Sequence, residues 1–225
     1  RQKHVVFFVD EIEHDLFQFA AFHLSVCHAD SHSWDVTRYH VAYVLNVLHS
    51  VMNEALALDS PVAIRYPNGC EDAAIVQAFY SQSANVFGRV RADYAENDAQ
   101  NLDAVIVTHG RIVTEAIKAK EVLKEQGKNV GILLLEQIKP YAKIATEVAQ
   151  LLPEQASRVL FLEEEIRTGG MGMNLSSALS GHEVMKNKTV TIKALGDHFA
   201  IQTQNEPIWK SFGLDCDSIV CDILG

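Results

Sequence analysis

The stretch from Asp103 to Pro140 most constrains the fold of this chain of 225 residues. Ala104 to Thr108 is an unbroken apolar run, as expected of a strand that is buried on both faces. Apolar residues then recur at helical spacing up to Gly127, a natural helix stop, and Val130 to Leu135 has the pattern of a second buried strand. A strand, a return helix and a second strand with short joints form a right-handed βαβ unit. The stretch therefore predicts a parallel sheet that is covered by helices.

Further elements of the same kind follow toward the C-terminus. Tyr141 to Leu152 carries apolar residues on one helical face, and Pro153 ends that helix. Arg158–Leu162 and Thr189–Leu195 predict a third and a fourth strand, and two amphipathic helices close the chain. We therefore predict an α/β fold for residues 103–225, with a mostly parallel sheet covered by helices.

The N-terminal third predicts a partial second α/β domain over residues 1–69. Glu11 to His40 has an apolar middle without a clean period and predicts no element. Residues 70–102 are polar and mixed, which indicates a linker between the two domains. The predicted elements of the first domain are a strand within Lys3–Asp10, a helix from Val41 to Ala55 and a short strand at Val62–Ile64.

Composition excludes some classes of function. The net charge of −10 argues against nucleic-acid binding, because phosphate neutralisation requires clustered Lys and Arg. No apolar run approaches the roughly 20 residues that a membrane-spanning helix needs. The four cysteines form no Cys-x-x-Cys pair, which favours a reducing, cytoplasmic location. The sequence opens at Arg1, without methionine, so we expect a fragment of a longer polypeptide or a chain with segments missing.

A glycine-rich joint, Gly169 to Gly172, follows the third predicted strand and precedes a helix. Such a joint can bind a phosphate through backbone N–H groups at the start of the helix. It lacks the third glycine of a dinucleotide-binding fingerprint, and the acidic run Glu163 to Glu165 before it would repel a phosphate. We therefore interpret the joint as a tight turn that lets the helix pack close to the sheet.

One histidine-rich run in the N-terminal third has the side-chain chemistry of a metal site. Its spacing matches no strand or helix that aims several ligands at one point, so we predict surface or loop histidines and assign no metal ligand. The residues of this run are His23, Cys27, His28, Asp30 and His32.

Three charged residues are candidates for chemistry. Glu11 and Glu13 are of the type that transfers protons, but two acids near a chain end are usually solvated, and we assign no catalytic residue. Arg65 lies at the end of a predicted strand, before a turn, where a guanidinium can hold phosphate oxygens in a bidentate fork. Arg65 is therefore the candidate contact for a substrate phosphate. A salt bridge across the domain joint is an equally good explanation of the same position.

A set of motifs resembles one enzyme family. Pro61 to Gly69, PVAIRYPNG, is similar to the PxAIRYPRG stretch of 1-deoxy-D-xylulose-5-phosphate synthases, which closes the pyrimidine-binding domain of this transketolase-type family. The resemblance covers residues 61–225 and rests on the order of the motifs, since each alone is weak. The further motifs, in the family's order, are Thr108–Gly110 with its helix, Gln137–Pro140, Leu162–Glu164, Gly169–Gly172, Gly196–Phe199 and Gly213–Asp215.

Upstream of residue 61 the resemblance degrades. Val5 to Asp10 is similar to the strand before the family's substrate-binding GxDGxTH segment, which this sequence lacks. Ile12 to His14 is a poor match to the catalytic glutamate motif GIxExH, and no G-D-G motif for magnesium and the diphosphate occurs. Asn68 replaces the second arginine of RYPRG. Of the two phosphate contacts that the resemblance implies, Arg65 alone remains.

The resemblance implies the C-terminal portion of a thiamine-diphosphate-dependent two-carbon-unit transferase, in which the C-terminal domain serves packing and dimerisation. Thiamine diphosphate and magnesium are expected in the complete enzyme, whereas this chain alone is expected to bind no cofactor and to be inactive. The expected partners are a second copy or a subunit that carries the diphosphate-binding domain, with a small phosphorylated sugar as substrate. The alternatives are a non-catalytic assembly or regulatory subunit and an E1-beta-like subunit of a 2-oxoacid dehydrogenase.

Overall fold

The computed structural model describes residues 5–10, 38–41, 45–67, 73–80, 89–196 and 205–225. The N-terminal elements are β1 (Val5–Asp10), β2 (Arg38–Val41), α1 (Leu45–Ala57), β3 (Val62–Pro67), α2 (Ala73–Phe79), β4 (Val90–Ala92) and α3 (Glu96–Ala99). The C-terminal elements are β5 (Ala104–Thr108), α4 (Val113–Glu125), β6 (Val130–Leu135), β7 (Gln137–Lys139), α5 (Tyr141–Leu151), β8 (Arg158–Ile166), α6 (Met171–Leu179), β9 (Thr189–Leu195), α7 (Asn205–Ser211) and α8 (Cys216–Leu224).

The larger sheet has the strand order β4-β6-β5-β8-β9. Its β6, β5, β8 and β9 run parallel, and β4 is antiparallel to β6. Every residue of β5 and of β6 is buried, as their unbroken apolar sequences predict. The α/β fold with a mostly parallel sheet covered by helices is therefore confirmed.

The smaller sheet has the strand order β1-β3-β2-β7. Strands β1 and β2 both run parallel to β3, whereas β7 pairs antiparallel with β2. The chain thus leaves the larger sheet at the end of β6, passes through Glu136, and enters the smaller sheet as β7. This crossing joins the two sheets through a single residue.

Three predicted element boundaries differ from the structure. Val41 is the last residue of β2, where pairing with β3 replaces the predicted start of a helix. Strand β8 continues to Ile166 and not to Leu162, because β9 supports it at its far end. Strand β4 lies within the predicted linker 70–102, yet its hydrogen bonds to β6 place it in the larger sheet.

Several sequence predictions fall on residues outside the described ranges. Among the described residues, no helix has the length and apolar content needed to cross a bilayer. The predictions outside the described ranges concern Glu11, Glu13, His23, Cys27, His28, Asp30, His32 and Asn68.

Candidate functional site

The carboxyl ends of β5 and β8 bring a histidine and two glutamates together. Thr108 is in register with Leu162 across these parallel strands, so His109 comes beside Glu163. Glu165 follows two residues further along β8, on the same face as Glu163 because side chains alternate along a strand. One ligand atom from each of the three side chains lies within 4.8 Å of the other two. Ligand sites of α/β sheets commonly lie at this edge.

The start of α6 holds Glu163 in place. Its Oε2 accepts a hydrogen bond of 2.6 Å from the Met171 N–H, and its Oε1 accepts one of 3.0 Å from the Gly172 N–H. The positive end of the helix dipole favours the carboxylate there. A Cβ atom on Gly170 would lie 2.8 Å from both carboxylate oxygens and 2.6 Å from the Ile166 carbonyl oxygen. Glycine is therefore required for this approach.

The predicted phosphate contact, Arg65, reaches this site from the smaller sheet. Its Nη1 donates a hydrogen bond of 3.1 Å to Glu165 Oε1, which links β3 to β8. The pair is half-buried, with 16% of the arginine side chain and 35% of the glutamate side chain exposed. Arg65 therefore forms a salt bridge between the smaller and the larger sheet.

His109 is buried beside this ion pair. Its side chain is 1% exposed, and neither Nδ1 nor Nε2 has a hydrogen-bond partner within the part of the chain that the structure describes. Nε2 lies 3.9 Å from Glu165 Oε1, too far for a hydrogen bond. Burial, together with the positive charge of Arg65, lowers the pKa of His109 to about 3. The imidazole is therefore neutral at pH 7.

The pKa of Glu163 is also shifted. Burial raises its pKa to about 7; the hydrogen bonds from Gly172 and Met171 oppose the shift, and the negative charge of Glu165 adds to it. A carboxyl group with a shifted pKa beside a buried imidazole, at the carboxyl end of a sheet, marks a candidate functional site.

A second buried glutamate lies where the chain crosses between the sheets. Glu136 is fully buried, and its Oε1 accepts hydrogen bonds from Tyr80 Oη at 2.6 Å and from Arg91 Nε at 2.8 Å. The Arg91 guanidinium also lies over the Tyr80 ring, 4.5 Å from its centre. This carboxylate has both a countercharge and a phenol donor, so the group is a structural link.

The glycine-rich joint performs the packing role that its sequence predicts. The amides that would bind a phosphate, those of Met171 and Gly172, are bonded to Glu163. Sequence reasoning named His109 and the run Glu163 to Glu165 only as parts of motifs and did not combine them into a site. Their positions directly after two buried strands are the signal that predicts a shared edge.

Comparison with known proteins places the chain in a family. The family model "Transketolase, C-terminal domain" matches residues 93–219. The chain belongs to this family. The match begins at Asp93, directly after the end of β4, and runs into α8.

Among curated proteins, the chain is similar to enzymes of one name within this family. A protein of Clostridium botulinum (strain Eklund 17B / Type B) named 1-deoxy-D-xylulose-5-phosphate synthase is 32% identical over 177 residues, covering 78% of this chain and 26% of that protein. One of Listeria monocytogenes serotype 4b with the same name is 32% identical over 167 residues, covering 73% of this chain and 25% of that protein. The chain thus spans about a quarter of the length of these relatives.

Solved structures share the fold. The structure described as "Split gene transketolase, inactive beta4 tetramer" superposes with a TM-score of 0.63 at 19% identity, covering 83% of this chain and 56% of that one. The transketolase of Campylobacter jejuni superposes with a TM-score of 0.57 at 14% identity, covering 83% of this chain and 26% of that one. The resemblance to transketolase-type enzymes seen in the sequence motifs is confirmed.

Proposed function

We propose that this chain is the C-terminal portion of a thiamine-diphosphate-dependent two-carbon-unit transferase resembling 1-deoxy-D-xylulose-5-phosphate synthase. The observation that carries the proposal is the match to synthases of that name along three quarters of this chain but only a quarter of theirs. In the complete enzyme, thiamine diphosphate supplies the electron sink for transfer of the two-carbon unit. The proposed location is the cytoplasm.

The described residues do not fit the diphosphate of that cofactor. A diphosphate needs unbonded backbone N–H groups or cations, and the glycine-rich helix start at Gly170 presents its amides to Glu163. Glu165 adds a second negative charge near the same place. No G-D-G sequence occurs in the printed chain. We therefore propose that the isolated chain is inactive and that a subunit or segment with a diphosphate-binding domain completes the enzyme together with magnesium.

Arg65 is the proposed contact for the phosphate of a small sugar substrate. It lies at the joint between the sheets, half-buried, where a guanidinium can donate two parallel hydrogen bonds to an anion. In the structure Glu165 occupies that position as an internal anion. A substrate phosphate would compete with the Glu165 carboxylate for the guanidinium, so Glu165 is expected to weaken phosphate binding.

We propose three parts for the chain: a partial pyrimidine-binding domain at 1–69, a connecting segment at 70–102 that lends β4 to the larger sheet, and a C-terminal packing and dimerisation domain at 103–225. In the last part, Ile166, Met173, Val190 and Leu224 have apolar side chains that are between 42% and 49% exposed. A dimer contact would remove such groups from water.

The alternatives are a non-catalytic assembly or regulatory subunit and an E1-beta-like subunit. The split-gene transketolase is described as an inactive beta4 tetramer, but at 19% identity it supports the shared fold alone and does not favour the first alternative. The curated relatives do not favour the second, because the matches cited are named 1-deoxy-D-xylulose-5-phosphate synthase. If the reading frame upstream of Arg1 encodes a G-D-G segment, the alternative of a non-catalytic subunit is excluded.

Calorimetry tests the proposal. The isolated chain is titrated with thiamine diphosphate in the presence of magnesium, with a complete 1-deoxy-D-xylulose-5-phosphate synthase as the positive control. We expect no binding heat from the isolated chain, and tight binding would refute the claim of inactivity. The chain joined to its diphosphate-binding domain is then assayed with pyruvate and glyceraldehyde 3-phosphate, and separately with a lipoyl acceptor. Turnover of the lipoyl acceptor alone would favour the E1-beta-like alternative.

A further inference from the structure

The cluster formed by His109, Glu163 and Glu165 includes a fully buried histidine. Both ring nitrogens of His109 are buried and have no hydrogen-bond partner among the described residues. A buried polar group in that state costs free energy unless a ligand or ion satisfies it. Its Nε2 faces Glu165 Oε1 across 3.9 Å, so the ring points into the acidic pair.

The described contacts of this cluster give Glu163 no positively charged partner. Arg65 pairs with Glu165 at 3.1 Å, whereas Glu163 accepts hydrogen bonds from the neutral amides of Met171 and Gly172. A bound divalent ion would supply a positive charge beside that carboxylate.

We propose that His109, Glu163 and Glu165 form a zinc-binding site that uses His109 Nε2 and one carboxylate oxygen from each glutamate. The three ligand atoms already lie within 4.8 Å of one another. Zinc bonds of about 2.0–2.2 Å in a tetrahedral arrangement place ligand atoms about 3.4 Å apart. Shifts of about 1 Å in the side chains close that difference. The fourth position is left for water or a small ligand, as in open zinc sites.

The donor set favours zinc over magnesium or calcium. Imidazole nitrogen suits zinc and its transition-metal neighbours, whereas magnesium and calcium bind oxygen donors almost exclusively. Imidazole and carboxylate ligands occur together in zinc sites with three protein ligands, as in the set of two histidines and one glutamate.

Neighbouring groups hold the ligands in place by hydrogen bonds, as the partners of metal ligands commonly do. The amides of Met171 and Gly172 fix the Glu163 carboxylate, and each of its oxygens retains a lone pair for the ion. Arg65 fixes the Glu165 carboxylate in the same way from the smaller sheet. The ion would therefore tie β5 and β8 to β3 across the joint. This role is separate from thiamine chemistry and does not depend on the proposed transferase function.

Metal binding to the complete untagged chain tests the proposal. The protein is stripped with a chelator, titrated with Zn²⁺ by calorimetry, desalted and measured for zinc content, with Co²⁺ absorption as a spectroscopic readout of the ligand set. We expect one zinc per chain. Glu165→Gln and His109→Ala are each expected to weaken the affinity at least tenfold and to change the cobalt spectrum.

His182→Ala is the matched control, since His182 follows α6 in the chain and is not one of the three clustered side chains. It is expected to bind zinc as the wild type does. Glu165→Gln changes a partly exposed side chain without opening a cavity, so circular dichroism should show a folded protein even if His109→Ala unfolds. Absence of stoichiometric zinc in the wild type would overturn the proposal. So would zinc binding that Glu165→Gln leaves unchanged, since the ion would then be held by other histidines of the chain.

Discussion

Two buried glutamates lie at the joint between the sheets, and their surroundings differ. Glu136 has a guanidinium and a phenol within hydrogen-bond distance, so its charge is matched and its oxygen is satisfied. Glu163 has only neutral amides as hydrogen-bond donors among the contacts described here, with another carboxylate and an unpartnered imidazole as neighbours. The first arrangement stabilises the fold, whereas the second leaves charge and hydrogen-bonding capacity unused. Functional sites are often built in the second way.

The largest expected loss of stability comes from removing the charged partner of Glu136. Arg91→Met should lower the free energy of unfolding by about 3 to 5 kcal/mol, because it removes the guanidinium from a fully buried carboxylate. Urea denaturation measures the loss. Lys186→Met, in the exposed pair with Glu183, is the control and should change stability by less than about 1 kcal/mol.

A second change checks the reason for that loss. Adding Glu136→Gln to Arg91→Met removes the buried charge itself, so the double variant should recover part of the lost stability. If Arg91→Met changed stability as little as Lys186→Met does, the ion pair of Glu136 would not stabilise the fold.

The next largest effect is a pH dependence of the free energy of unfolding that Glu163 causes. It is measured with EDTA present, so that no metal is bound. Burial raises the pKa of Glu163 from its ordinary value of 4.5 to about 7, so the folded state holds this proton more tightly than the unfolded state does. The stabilisation that protonated Glu163 contributes is fully present below pH 4.5, and it is lost as the pH rises toward and through 7. At about 1.4 kcal/mol per pH unit, the loss is at most about 3 to 4 kcal/mol.

The same measurement on Glu163→Gln isolates the effect from other groups that face it. His109 acts in the opposite direction, because its lowered pKa makes stability fall as the pH drops below 6.5, and Arg65 and Glu165 add their own charges. The difference between wild type and Glu163→Gln should therefore grow between pH 4.5 and 7. Parallel stability curves would contradict the raised pKa.

A smaller loss of stability is expected from Gly170→Ala. The added Cβ would meet the Ile166 carbonyl oxygen at 2.6 Å and both Glu163 oxygens at 2.8 Å. Overpacking of this kind costs about 1 to 3 kcal/mol, which thermal denaturation would detect. Gly181→Ala is the matched control, because a Cβ there meets nothing within 4 Å, and its effect should stay within about 0.5 kcal/mol. Equal effects at the two glycines would show that Glu163 is not held tightly.

The smallest effect on stability is expected from Glu165→Gln. Its ion pair with Arg65 is partly exposed, so the free energy of unfolding should change by less than about 1 kcal/mol without metal. The same variant should lose zinc affinity at least tenfold. Loss of stability comparable to that of Arg91→Met would remove the contrast between a structural and a functional glutamate.

Regular elements with buried, periodic sequences were predictable. Strands β5 and β6 and helix α5 carry their signal locally, since an apolar run or a 3.6-residue repeat is a property of neighbouring residues. Strand β4 was missed because its three residues are half-buried, and only pairing with β6 makes them a strand. The far end of β8 was missed for a related reason, because Glu163 to Glu165 lack the apolar pattern of a buried strand.

The sequence by itself determined the α/β class, the parallel order of the C-terminal strands and the family, because these depend on local periodicity and on motifs in fixed order. The tertiary structure alone decided that His109, Glu163, Glu165 and Arg65 meet. Arg65 and Glu165 are 100 residues apart in the chain. The register of β5 against β8 and the position of the smaller sheet bring them together, and no local pattern in the sequence encodes either.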